Sequence, residues 1–158
     1  MSTRLLRCAR NDEPLSDLKN FALTTRDTNL ISETRKLRAD AGVMAFLAAA
    51  DGAGLFLSVL TLGELRKGVE ARRRNDAATA ARLEAWVDDI ETIFADRVLP
   101  VDAAAARLWG ELSARRSLPV IDTLIAATAI SRGLTLVTRN TRDVAITSVP
   151  LFDPWQGG

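Results

Sequence analysis

Asp27, Glu64, Asp122 and Asp143 each follow a short apolar run or stand in the helix beyond one. In an open parallel sheet that position matters, because sites form outside the carboxyl ends of the strands, where the strand order reverses. Carboxylates drawn together there repel one another, so a cluster of them implies a bound hard cation, Mg2+ or Mn2+, which takes oxygen ligands. A carboxylate-held cation suits in-line hydrolysis of a phosphodiester and requires no covalent nucleophile on the protein. Each acid also has an ordinary structural reading. Asp27 and Asp122 could cap helices, Glu64 stands three residues after Thr61 in capping-box spacing, and Asp143 could be a solvated loop residue. Their coincidence at four strand-to-helix junctions is what favours a site.

Composition narrows the chemistry further. The sequence has no histidine, which excludes Ser-His-Asp and Cys-His nucleophilic sites and histidine-ligated zinc or non-haem iron. Cys8 is its single cysteine, so no internal disulfide forms, and a reducing, cytoplasmic setting is expected. Its 21 basic and 20 acidic residues leave a net charge of +1, so any nucleic-acid site must be a local one. Nearly all the basic residues are arginine, the side chain whose planar fork suits phosphate. The longest apolar run, Val43 to Ala50, is too short to span a membrane, and Met1 to Arg10 lacks the apolar core of a signal peptide.

The four junctions require strands alternating with helices, and the punctuation supplies them. FALTT from Phe21, LFLSV from Leu55, RVLPV from Arg97, LTLVT from Leu134 and a run from Val149 to Phe152 read as short buried strands. Between them, helices are expected from Asn29 to about Lys36, Asp40 to Ala50, Leu62 to about Arg74, Ala77 to about Phe94, Asp102 to near Arg115 and Asp122 to Arg132. The longest carries Leu83, Trp86, Val87, Ile90, Ile93 and Phe94 as one apolar stripe. The pattern predicts a single α/β domain over residues 21–155, with a parallel sheet of four or five strands flanked by helices. A poorly ordered extension over 1–20 precedes it, and a tail at 156–158 follows.

The blocks DTNLISETRK (Asp27 to Lys36), LFLSVLTLGELRKGVE (Leu55 to Glu70), RVLPVD (Arg97 to Asp102), LPVIDTLIAATAISRGLTLVTRN (Leu118 to Asn140) and PLFDPW (Pro150 to Trp155) resemble, in order and spacing, the PIN-domain family. The nearest likeness is to the VapC and FitB-type toxins of bacterial toxin–antitoxin pairs. That resemblance implies a three-layer PIN fold with strand order 3-2-1-4-5 and an endoribonuclease dependent on Mg2+ or Mn2+. It also implies a cognate antitoxin as partner, a homodimer through apolar helix faces such as the one bearing Trp86, and DNA contact only through the antitoxin. Residue by residue, the family's acids fall on Asp27, Glu64, Asp122 and Asp143, and Asn29 and Thr138 fall where the family places polar groups beside them. Glu33 matches an acid of the family pattern and reads as a solvated or salt-bridged helix residue. Arg139 and Arg142 follow the LTLVT strand, where they could hold RNA phosphates or be ordinary loop charges.

The sequence departs from the family pattern just before the first acid, where Thr24, Thr25 and Arg26 replace the usual apolar lead-in. A protein that binds its antitoxin without cleaving RNA is therefore the alternative. A phosphatase using Asp27 as covalent nucleophile fits poorly, because Asn29 stands where a second Asp is wanted and no lysine follows Lys67.

Overall fold

Alternate residues along each strand point to opposite faces of the central sheet, and both faces are apolar. In β2 (Leu55–Ser58), Leu55 and Leu57 enter one buried cluster, while Phe56 packs against a second. In β4 (Thr135–Val137) and β5 (Leu151–Phe152), Val137 and Phe152 face the first cluster and Leu136 and Leu151 the second. A sheet covered on both faces needs near-continuous apolar strands, which is why these runs do not alternate with polar residues. This computed structural model describes residues 21–23, 30, 33, 38–50, 54–115 and 117–157.

All strand pairings are parallel. β1 (Phe21–Leu23) lies in the middle, with Leu23 opposite Leu57 on one side and Val137 on the other. β3 (Val98–Leu99) and β5 close the edges, giving the order β3-β2-β1-β4-β5 that the resemblance implies. Helices α1 (Ala41–Ala49), α2 (Val59–Arg73) and α3 (Ala77–Ile93) cover the first face through Val43, Phe46, Leu65, Val69, Val87 and Ile90. On the other face α5 (Val120–Ser131) brings Ile125, Ala126 and Ala129, and the single turn α6 (Thr141–Val144) brings Val144. α4 (Ala103–Arg115) packs outside, against α5.

Several element boundaries differ from those read in the sequence, each for a local reason. α2 begins at Val59, not Leu62, because Ser58 ends the strand and caps the helix at once: its Oγ accepts the Leu60 N–H at 3.2 Å. Thr61 is consequently buried inside the helix, and the capping box expected between Thr61 and Glu64 does not form. α5 starts at Val120 with Pro119 at its cap, so Asp122 lies in the first turn and is not the cap. Asp143 belongs to the α6 turn and not to an open loop. Ile93, the last residue of the longest helix and part of its apolar stripe, is 60% exposed. Trp86 is half-buried against the first cluster. Glu33 is helical and only 4% exposed, and its Oε1 accepts the Asp40 N–H at 3.1 Å, so it is not a solvated residue.

Candidate active site at the carboxyl edge of the sheet

The chain runs from β1 outward through β2 to β3, then returns past β1 to β4 and β5. The strand order therefore reverses between β1 and β4, and the crevice beyond their carboxyl ends is where a ligand site is expected in such a sheet. β4 leads straight into that crevice through Thr138, Arg139 and Asn140. Thr138 is buried, its N–H donates to the Phe152 carbonyl at 2.9 Å, and its Oγ1 accepts the Asn140 N–H at 3.0 Å. The Asn140 side chain does not cap α6. Its Nδ2 donates to Asp143 Oδ2 at 2.6 Å, which fixes the half-buried carboxylate against the strand end.

The other acids arrive on helices. Asp122 is half-buried in the first turn of α5, where the unpaired N–H groups and helix dipole favour a negative charge. Its neighbour Thr123 is buried, and donates Oγ1 to the Pro119 carbonyl at 2.7 Å. α5 packs against α6, which carries Asp143. Glu64 sits half-buried on α2, past the carboxyl end of β2, and its Oε1 faces Lys67 Nζ at 3.4 Å. Arg139 is exposed, with its guanidinium over the Trp155 ring at 6.0 Å from the centroid. The expected site residues Asp27 and Asn29 lie outside the described residues, as do Arg26, the extension over 1–20 and most of the helix expected from Asn29.

Oxygen donors from Glu64, Asp122, Asp143 and the Asn140 amide suit a hard cation such as Mg2+ or Mn2+ and no soft one. Among the described residues, no three of His, Cys, Asp and Glu lie close enough to hold an ion together. Asp27, the remaining member of the expected set, is not among them. Asn140 was not singled out by residue type. Its signal was the spacing, three residues before Asp143 at the start of a helical turn, where a short amide reaches its i+3 neighbour.

The description of the PIN domain matches residues 26–147. The chain belongs to the PIN domain family. Among curated proteins, this PIN domain is 36% identical over 137 residues to the VapC ribonuclease Y4jK of Sinorhizobium fredii, covering 82% of this chain and 96% of that one. It is 32% identical over 134 residues to the toxin FitB of Neisseria gonorrhoeae, with the same coverage of 82% and 96%. The crystal structure of FitAcB from Neisseria gonorrhoeae superposes with a TM-score of 0.71 at 31% identity, covering 85% of this PIN domain and 98% of that chain. Among the described residues no helix is long and apolar enough to cross a membrane.

Proposed function

We propose that this PIN domain is an endoribonuclease toxin of a toxin–antitoxin pair, hydrolysing RNA phosphodiester bonds at the edge beyond β1 and β4. The observation that carries the reading is its likeness, over nearly the full length of each relative, to a protein named as a VapC ribonuclease and another named as a toxin. In this reading Asp27, Glu64, Asp122 and Asp143 hold Mg2+ or Mn2+, with Asn29 and Thr138 beside them. When bound, the cation supplies charge at the scissile phosphate and eases deprotonation of an attacking water. Asn140 holds one Asp143 oxygen, so that carboxylate keeps a single orientation. The α5 N-terminus steadies Asp122 in its charged form. Thr138 locks the turn that carries both Arg139 and Asn140.

Its partner is a cognate antitoxin, and through it alone the protein meets DNA. Structural neighbours that are toxin–antitoxin complexes, some on DNA, support this part of the reading. A homodimer in the cytoplasm completes it. The test is cleavage of labelled total RNA by the purified chain with and without Mg2+ or Mn2+, beside Asp122→Asn. Metal-dependent cutting that falls on the order of 100-fold or more in the variant, with its circular dichroism unchanged, is expected. Equal cutting by the variant would sink the assignment. A folded wild-type chain that binds an antitoxin and cuts nothing would establish the binding-only alternative.

A further inference from the structure

Two residues at the mouth of the site are fixed to the same rung of the sheet. The Thr138 N–H donates to the Phe152 carbonyl at 2.9 Å, tying the end of β4 to the end of β5. Arg139 is the next residue on one strand, and Trp155 lies three residues beyond Phe152 on the other. The chain after β5 forms the 3-10 turn Pro154–Gly157, and its geometry is pinned. Asp153 accepts the Trp155 N–H through Oδ1 at 2.9 Å and Gln156 Nε2 through Oδ2 at 2.9 Å. Pro154 is buried against α1, where its carbonyl oxygen occupies the space a side chain at Gly42 would need. Trp155 packs against the first core cluster, which anchors its indole, and the Arg139 guanidinium stands over the ring at 6.0 Å from the centroid.

An exposed arginine ordinarily samples many rotamers, and that freedom is lost when it grips a ligand. A guanidinium held over an anchored aromatic ring, here 6.0 Å from its centroid, has lost part of that freedom before the ligand arrives. We infer that Trp155 is a positioning residue that acts through Arg139, holding the guanidinium as a phosphate contact for a single-stranded RNA crossing the site beside Asn140 and Asp143. This rests on the nuclease reading above and adds to it how the substrate strand is placed. A chain of net charge +1 has no general attraction for RNA, so a local, pre-oriented arginine contributes disproportionately to binding.

The test uses a short single-stranded RNA that the wild-type chain cuts, with KM and kcat measured separately at several salt concentrations. Arg139→Ala is expected to raise KM about 10-fold with kcat within about twofold, and to lower the salt slope of kcat/KM by about one. Trp155→Leu keeps the apolar contact and the charge but removes the aromatic face. It is expected to raise KM by about 3-fold to 5-fold while leaving the salt slope unchanged. Trp155→Phe restores KM, and Arg139→Lys does not, because lysine keeps the charge and loses the planar fork. A Trp155→Leu chain whose kcat falls with its melting temperature while KM holds would make Trp155 a structural brace and overturn the inference. So would an Arg139→Ala chain with unchanged KM, even where Asp122→Asn abolishes cutting and the nuclease reading stands. A wild-type chain that cuts no RNA overturns both.

Discussion

Gly42 sits in the first turn of α1, where the general rule is that alanine would be the better residue by up to about 1 kcal/mol. The surroundings reverse the sign. A Cβ at this position would run into the Pro154 carbonyl oxygen and also meet Asp40 Oδ1 at 3.2 Å. The first of these is backbone, in a turn tied down by Asp153, and cannot swing aside as the end of a flexible side chain would. Asp40 is the α1 cap, its Oδ1 accepting the Gly42 N–H at 2.9 Å and the Val43 N–H at 3.2 Å, so it has little freedom either. Gly42→Ala is therefore expected to destabilise the fold by about 1–3 kcal/mol, the range typical of overpacking. Urea unfolding followed by circular dichroism measures this. A midpoint equal to or above that of the wild type would show that the helix rule governs and the close approach does not.

Elements were legible in the sequence where one signal dominated. LTLVT is a buried strand because it is short, apolar and preceded by Gly133, whose φ of 65° ends α5 in the left-handed conformation glycine favours. Asp102 was legible as a cap, and the Ala105 N–H does donate to its Oδ1 at 2.9 Å. Boundaries failed where a strand passes into a helix without a loop. Val59 continues an apolar run that could be strand or helix, and the buried Ser58 hydroxyl that decides the matter looks like any polar residue in one dimension. The candidate site divides in the same way. Acids at strand ends are visible by type, whereas the grip of Asn140 on Asp143 and the burial of Glu33 depend on neighbours distant in sequence or on local turns. Asp102 also gives a prediction. The Ala105 N–H, aided by the Arg132 guanidinium 2.9 Å from Oδ2, holds its carboxyl below the ordinary value. A group lowered on folding contributes its full stability above the unfolded value, near 4, and loses it as the pH falls through the folded value. Asp102→Asn should therefore be less stable than the wild type near pH 6, with the gap closing as the pH falls below about 4. The pair is partly exposed, so salt should shrink the gap. Urea midpoints for both proteins at several pH values test it, and a gap that stays constant with pH would rule out the carboxylate as its source.

Across the whole molecule, the layered arrangement that buries two apolar faces also sets the cost of the site. α2, α5 and α6 are held by their apolar sides to opposite faces of one sheet, and each brings a carboxylate near the edge where the strand order reverses. In the proposed site, with Asp27 joining these three, folding would draw together negative charges that the unfolded chain keeps apart, and a site built this way reduces stability until a cation offsets the repulsion. Two consequences follow with opposite signs. In chelator, Asp122→Asn should be as stable as the wild type or more so, because one of the repelling charges is gone. In Mg2+ or Mn2+, the wild type should gain stability and the variant little. A ligand that binds only the folded state at about 100 times its dissociation constant adds roughly 2.7 kcal/mol. For a chain of this size that raises the melting temperature by about 5–10 °C. Thermal unfolding with a titration of either cation, at fixed protein concentration because a homodimer is proposed, measures both effects. A wild-type melting temperature that ignores both cations, or a variant that gains as much as the wild type, would separate these carboxylates from the metal site and leave the family's chemistry without its expected ligands here.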